Sequence, residues 1–381
     1  MLQKFYDIKS FEIDLISKIN RFKITASQKK EILIKFKNKN HLIIGAAGSI
    51  GSVFSKLILS YKPYKVFFLD KDENQLTELN RDINLLNSNS NKEFICYDIL
   101  NLDIKNFCIK NKIYGIYNFS ALKHVRSEEN IFSSNYMLKV NSAQFLKIVY
   151  PKSVKCIFSV STDKANNPTS VLGLSKKLME HTLYEIKKKN QKKKICSVRF
   201  TNVSFSKGSI LKSIYDKCIT GGTFGIPSNV KRHFITHNEA ASLCFKSVLK
   251  ECENSIILPN PDKIGEAKSI LVLCKKILKK FNINFKRKSS GYYSKGLKVK
   301  FVKALTYGQK DVEDLKVNDE IYSNLKDDML IKTSFKKLKN YDLVVKKIKD
   351  KKFFNTNKLI KLFSPDFRSG NHKKIKLSEN I

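Results

Sequence analysis

Residues 41–59 read His-Leu-Ile-Ile-Gly-Ala-Ala-Gly-Ser-Ile-Gly-Ser-Val-Phe-Ser-Lys-Leu-Ile-Leu. A short apolar run, Leu42 to Ile44, leads into three glycines, and an apolar helical pattern with Val53, Phe54, Leu57, Ile58 and Leu59 follows. The order of strand, turn and helix gives each glycine a task. Gly45 permits the tight turn, Gly48 lets backbone approach a pyrophosphate, and Gly51 lets the helix pack closely on the strand. The helix then opens at Ser49, Ile50 and Gly51 with unpaired N–H groups, a ready anion site. A glycine triplet alone is a weak signal, but this one has the strand before it and the helix after it.

The neighbouring segments extend the pattern. A strand over Lys65–Asp70 ends in an acid about 20 residues past the glycines, placed to hydrogen-bond the ribose hydroxyls of NAD and to repel a 2′-phosphate; Lys71 beside it keeps NADP open. A third strand, Glu93 to Tyr97, ends in Asp98-Ile99, where an acid can meet an adenine. A fourth, Ile113 to Phe119, runs into Ser120-Ala121-Leu122-Lys123-His124. Small residues there allow close passage of a cofactor, and Lys123 suits a phosphate or ribose contact. His124 has two readings, a satisfied structural histidine or a group facing the ligand. A long helix containing Asn141 follows. Strands alternating with helices make an α/β fold, a doubly wound parallel sheet.

Residues 156–180 carry the densest chemistry. The apolar run Cys156 to Val160 reads as a buried strand and stops at Ser161-Thr162-Asp163-Lys164; a loop with Asn166, Asn167 and Pro168 leads to a helix bearing Lys176. Ligands of open α/β sheets sit outside the carboxyl ends of strands. An acid, an ammonium and two hydroxyls at that position suit catalysis. The plainer reading, that Asp163 and Lys164 cap the helix and solvate a loop, is equally good for this segment alone.

A sixth strand, Ile195 to Phe200, leads to Thr201-Asn202-Val203 and Gly208-Ser209. Arg232 lies just before the apolar Phe234-Ile235, in the half expected to cover a substrate, and suits a diphosphate. The chain divides into a helical extension (1–38), a dinucleotide-binding domain (39–200), a smaller substrate-binding region interleaved with the last sheet strands (201–335), and a C-terminal extension (336–381). In the first, Phe11, Ile13, Leu15, Ile16, Ile19 and Phe22 have loosely helical spacing, and Ser27 is a plausible N-cap of a second helix. In the last, 340–363 read as helical and the tail beyond Pro365 as disordered.

Composition narrows the function classes. A net charge of +39 over 381 residues invites nucleic acid or an anionic membrane, yet the basic residues are scattered and no nucleic-acid-binding signature appears. The charge instead favours a phosphate-bearing small molecule. The eight cysteines form no CxxC pair and have no histidine at metal spacing, so no metal site is expected and a reducing, cytoplasmic setting is the simplest account. No apolar stretch is long enough to span a bilayer, so no membrane insertion is expected.

With these pieces in place, the chain resembles the nucleotide-sugar 4,6-dehydratases of the extended short-chain dehydrogenase/reductase superfamily, a Rossmann-type fold. Within it, it is most similar to the CapD-like polysaccharide-biosynthesis group acting on UDP-N-acetylglucosamine. The resemblance rests on GAAGSIGS (45–52), SALKHVRSE (120–128), STDKANNPTSVLGLSKK (161–177), VRFTNVSFSKGS (198–209) and VKRHFIT (230–236). It implies an acid/base pair at Asp163 and Lys164, with Thr162 as the adjacent hydroxyl and Lys176 on the nicotinamide ribose. It further implies cofactor contacts at Gly45, Gly48, Ser49, Ile50, Gly51, Asp70, Asp98, Ile99, Ser120, Ala121, Lys123 and Asn141. Sugar-nucleotide contacts are implied at Lys123, His124, Asn202 and Arg232, and a homo-oligomer is expected.

Two departures matter. Most of the superfamily has Tyr four residues before the helix lysine and one membrane-anchored branch has Met, whereas this chain has Leu172, which carries no transferable proton. Gln309 stands where the family's Gly-Glu-Lys motif has Glu. The implied reaction oxidises C4 of the hexose with bound NAD, eliminates water across C5 and C6, and returns the hydride to C6. Asp163 would accept the C4 hydroxyl proton and later protonate the departing oxygen; Lys164 would take the C5 proton, its pKa lowered by burial and by Lys176. The alternatives are a C4 epimerase or oxidoreductase on the same fold, a catalytically silent NAD-binding scaffold, and a charge-driven nucleic-acid binder.

Overall fold

The structure, a computed structural model, describes residues 7–349 except 87, 125–126, 129, 295, 303–309 and 311. The expectations for Gln309 and for 350–381 lie outside the described residues.

Helix α1 (Ile8–Leu15) starts at Asp7, whose carboxylate accepts the Lys9 N–H. It ends at Leu15, so Ile19 lies beyond it and stays exposed; Ile13, within the helix, is exposed as well and does not continue the buried face of Phe11 and Leu15. Helix α2 (Ala26–Phe36) is capped by Thr25, not Ser27. Thr25 accepts the Gln28 N–H and Gln28 accepts the Thr25 N–H. Only a hydroxyl three residues before Gln28 can close both bonds.

The main sheet is built by β1 (Asn40–Ile44), β2 (Lys65–Asp70), β3 (Asn91–Cys96), β4 (Ile113–Asn118), β5 (Cys156–Thr162) and β6 (Lys194–Phe200). Between them run α3 (Ser49–Ile58), α4 (Glu73–Asn84), α5 (Ile104–Lys110), α6 (Ile131–Asn141) and α7 (Val171–Lys189). These strands pair in parallel in the order β3-β2-β1-β4-β5-β6. The fold is therefore the expected Rossmann-type sheet, with its reversal of strand order between β1 and β4. Burial shows why the strands read as unbroken apolar runs. Ile43, Val66 and Phe68 enter the core on one face, and Leu42, Ile44, Phe67 and Leu69 enter the core on the other. Helices cover both faces, so both sides of each strand are apolar.

The second half begins with β7 (Asn202–Val203), α8 (Ile210–Thr220), β8 (Gly222–Pro227), β9 (Lys231–Arg232), β10 (Phe234–Ile235) and α9 (His237–Lys246). It continues with β11 (Ser255–Pro259), β12 (Lys268–Ser269), α10 (Ile270–Lys280), β13 (Lys286–Lys288), β14 (Gly291–Ser294) and β15 (Leu297–Val302). Strand β11 returns to the main sheet beside β6, and β17 (Leu330–Ser334) and β16 (Tyr322–Asn324) add antiparallel to its edge. Strands β13-β14-β15-β8 form a separate four-stranded sheet. Its core includes Leu211, Ile214, Leu273 and Ile277, and also Phe11, Leu15 and Ile16 of the N-terminal segment. Arg21 reaches the same half, pairing with Glu239 at 2.8 Å. The start of the N-terminal segment thus packs on the C-terminal half, whereas Ile32 and Phe36 of α2 enter the core of the main sheet, with Phe36 against Phe54 and Tyr117.

Helix α11 (Tyr341–Lys349) closes the described chain. Its Tyr341, Val344 and Val345 pack with Met137 and Leu138 of α6 and Leu172 and Leu174 of α7. No helix among the described residues is long and apolar enough to cross a membrane.

Candidate active site

Parallel register brings the carboxyl ends of β1, β2, β4 and β5 to one edge, at the point where the strand order reverses. The glycine turn forms one wall. Gly45 has φ +72°, and a Cβ on it would lie 2.6 Å from Ser120 N. A Cβ on Gly51 would lie 2.1 Å from the Gly45 carbonyl oxygen. Neither site admits a side chain, so the loop, α3 and the start of the β4 loop touch backbone to backbone. Gly48 is the N-cap of α3 and supplies no side-chain bond. The Ser49 and Ile50 N–H groups there suit a pyrophosphate. At the end of β2, Asp70 accepts from Ala47 N (2.9 Å) and Asp72 N (3.1 Å), fixing a carboxylate beside the turn. These residues fit a dinucleotide.

The other expected cofactor positions sort by their partners. Asp98 accepts from the Tyr136 hydroxyl at 2.9 Å, and the Lys71 ammonium lies 4.8 Å from the Tyr136 ring centroid. Ile99 belongs to the buried core. Ser120 donates to the Asn118 side chain at 2.7 Å, and Ala121 is exposed in the same loop. Asn141 is buried, accepts from Leu122 N (2.8 Å), and donates to Leu122 O (2.7 Å) and Ser175 Oγ (3.0 Å). It bears on the crevice through the loop it holds.

On the facing side, Lys123 donates to Ser206 Oγ at 3.1 Å, joining the β4 loop to the segment after β7. The residue is exposed, but local crowding of its ammonium by protein, and then the charge of Lys207, act to lower its pKa. The His124 ring packs on Gly208, where an added Cβ would meet Cε1 at 2.2 Å. Asn202 pairs through its backbone with His233 O at 3.1 Å.

The end of β5 carries the chemistry. The strand runs two residues beyond the expected Val160, because Ser161 and Thr162 pair with Arg199 and Phe200 of β6, and the Ser161 hydroxyl donates to buried Glu180 at 2.6 Å. A single turn then holds Asp163 and Lys164. Asp163 is 4% exposed; its Oδ1 accepts from Thr162 Oγ1 at 2.8 Å and from Lys164 Nζ at 3.0 Å. One turn and a half into α7, Lys176 donates to Val160 O at 3.0 Å, and burial lowers its pKa to about 8.

Lys164 corrects an expectation. Burial does act to lower its pKa, but the Asp163 carboxylate, and then that of Glu313 at 3.6 Å, outweigh it and leave the pKa raised. Its resting form is the ammonium. Arg232 is buried in β9, donates to Lys310 O at 2.8 Å, and lies 3.8 Å from the same Glu313.

Three nearby residues escaped the sequence reading. Glu313 is one acid in a charged run, and nothing local distinguishes it from Asp314. Glu128 accepts from Val171 N (2.9 Å) and Leu172 N (2.8 Å), anchoring the start of α7; burial raises its pKa to about 7. Lys207 reaches back across the crevice, its N–H on Ser49 Oγ at 3.0 Å. Only the Lys beside Gly208 hinted at it. Among the described residues, no group of three or more His, Cys, Asp or Glu could hold a metal ion.

The pattern of the family described as "Polysaccharide biosynthesis protein" matches residues 41–334. An uncharacterized membrane protein of Methanocaldococcus jannaschii is 27% identical over 338 residues, covering 86% of this chain and 96% of that one. A UDP-N-acetylglucosamine 4,6-dehydratase (inverting) of Campylobacter jejuni is 28% identical over 197 residues, covering 50% of this chain and 57% of that enzyme. Of a capsular polysaccharide biosynthesis protein of Staphylococcus aureus and a probable polysaccharide biosynthesis protein of Bacillus subtilis, 29% and 26% identical, the chain spans 36% and 47% of the length. Among solved structures, a Bacillus cereus UDP-glucuronic acid 4-epimerase, in complex with UDP-glucuronic acid and NAD, superposes with a TM-score of 0.53. It is 19% identical, covering 73% of this chain and 90% of that one.

Proposed function

The chain belongs to the polysaccharide biosynthesis protein family, and from that premise we propose that it is an NAD-dependent nucleotide-sugar 4,6-dehydratase, a hydro-lyase. Its substrate on this reading is UDP-N-acetylglucosamine, converted to a UDP-4-keto-6-deoxy-N-acetylhexosamine. The observation that carries the reading is the Thr162–Asp163–Lys164 cluster standing beside a dinucleotide cradle. A cradle alone would serve any oxidoreductase; the adjacent acid and amine give elimination its acid and base.

When bound, NAD supplies reversible hydride transfer, from C4 of the hexose and back to C6. The residues of the chain handle the protons. Asp163 accepts the C4 hydroxyl proton; Thr162 and Lys164 both donate to Oδ1, which leaves Oδ2 for the sugar. A C4 ketone makes the C5 proton acidic. Neutralising Asp163 removes the largest charge that holds Lys164 protonated, so burial then favours the free amine. The neutral form therefore arises within the cycle. Lys164 gives its proton to solvent, takes the C5 proton, and Asp163 protonates the departing C6 hydroxyl as water. After hydride reaches C6, Lys164 returns a proton to C5 and regains its own from solvent. Lys176 orients the nicotinamide ribose, and Lys123, Asn202 and Arg232 bind the sugar nucleotide.

Well-placed acid/base groups contribute about 10²–10⁴-fold each. Asp163→Asn and Lys164→Ala should each abolish measurable dehydration while NAD stays bound. Dehydration persisting in both variants would refute the assignment. The second reading, a C4 epimerase, has the structural likeness in its favour, but it gives the Asp163–Lys164 pair no task.

A further inference from the structure

Two cations face each other across this site. Lys164 belongs to the turn after β5, and Arg232 to β9; the guanidinium acts to lower the Lys164 pKa. Left alone, the two would repel in a poorly solvated place. Glu313 lies between them in interaction, 3.6 Å from Lys164 Nζ and 3.8 Å from Arg232 Nη2, with its side chain 8% exposed. Both separations exceed a hydrogen bond, so the contacts are Coulombic. Among the described residues, the charged groups acting on Lys164 are Asp163, Glu313 and Arg232.

We propose that Glu313 is a positioning residue of this site: its carboxylate holds the Lys164 ammonium and the Arg232 guanidinium together, tying the acid/base pair to the strand of the diphosphate contact. The inference deepens the dehydratase reading and rests on it for its place in a reaction. Once Asp163 has taken the C4 proton, Glu313 is the remaining carboxylate among those charges. It then governs how readily Lys164 releases a proton and how firmly it takes up the one from C5. Removing that charge frees the amine at lower pH; shortening the side chain does so partially.

The test measures Lys164 without any substrate. The full-length protein is treated with trace acetic anhydride from pH 7 to 11, and acetylation of Lys164 is followed by peptide mass spectrometry. In Glu313→Gln, Lys164 should be labelled about tenfold faster at pH values below both midpoints, its midpoint moving down by about one unit. Lys56 and Lys263, which lie elsewhere, should keep their wild-type profiles. Glu313→Asp keeps the charge but withdraws it by one methylene, so its midpoint should fall less, in the same direction. That variant decides the matter if Glu313→Gln does not fold. An unmoved Lys164 midpoint in folded variants overturns the proposal.

In the dehydratase assay, the rise of rate with pH should move to lower pH in Glu313→Gln, where a merely structural defect lowers the rate without moving the limb. A shifted labelling midpoint without any dehydration in the wild type would sink the functional reading and leave the role of Glu313 standing. Dehydration with unmoved midpoints would do the reverse.

Discussion

Lys176 is 4% exposed and its pKa is lowered to about 8 by burial. An unfolded lysine titrates near 10.4, so between about pH 8 and 10.4 the unfolded chain binds more protons and stability rises with pH. Below pH 8 the folded protein carries the full cost of a buried charge. Lys176→Met should therefore raise the melting temperature at pH 7 by several degrees, flatten the alkaline rise, and abolish dehydration; thermal melts at pH 7 and 10 measure it. A lower melting temperature would show that the bond to Val160 O outweighs the buried charge. Leu172 gives the opposite lesson. It is 6% exposed and packed with Met137, Leu138 and Tyr341. Leu172→Tyr puts a larger side chain with a polar hydroxyl into this apolar packing and should destabilise by about 1–3 kcal/mol through overpacking, read by chemical denaturation. Asp163 and Lys164 were legible because a polar cluster interrupts an apolar strand. The charge state of Lys164 was not, since it turns on how closely the fold sets the Asp163 carboxylate against the ammonium, and then on Glu313, which meets it from far along the chain.

On the proposed reading, the glycine turn is the element on which cofactor binding depends. Gly51→Ala places a methyl 2.1 Å from the Gly45 carbonyl oxygen, against backbone that cannot move without parting α3 from β1. The variant should lose co-purifying dinucleotide and unfold more readily; nucleotide release on denaturation and a thermal melt check both. Full retention of the cofactor would mean that the dinucleotide lies elsewhere. This element was read correctly because its requirement is local: strand, glycines, helix. Element ends were less legible. The second helix is capped at Thr25, not Ser27, because Thr25 and Gln28 close a reciprocal pair of bonds. Strand β5 continues through Ser161 because Glu180, on the next helix, takes its hydroxyl.

At the scale of the whole molecule, one buried ion cluster joins the two halves. Arg199 of β6 pairs with Glu180 of α7 at 2.7 Å and with Glu320, just before β16, at 2.5 Å. Burial alone would raise the Glu320 pKa, but the bonds and charge of Arg199 hold it down at about 2. An unfolded glutamate titrates near 4.3, so this contribution is fully present above that value and is lost as pH falls towards 2. Glu320→Gln should cost about 3–5 kcal/mol at pH 7, because it leaves a buried charge short of a partner, and should flatten the acid limb of the stability curve. Denaturant titrations at pH 7 and pH 3 test this; equal losses at both would show that the carboxylate charge is not the cause. The sequence reading sets the last sheet strands within 201–335 but gives neither their pairing nor this ion cluster. The sequence carries no local mark that α1 packs into the core of the C-terminal half, or that β17 and β16 return antiparallel to the first sheet. Such partners are chosen by apolar area and charge brought together only in the fold.

The most direct test of the dehydratase account is mass spectrometry of UDP-N-acetylglucosamine incubated with the NAD-loaded protein in heavy water. A borrowed-hydride elimination with Lys164 exchanging its proton predicts a product lacking one water, carrying deuterium at C5, with no net accumulation of NADH. A product of unchanged composition would contradict the account.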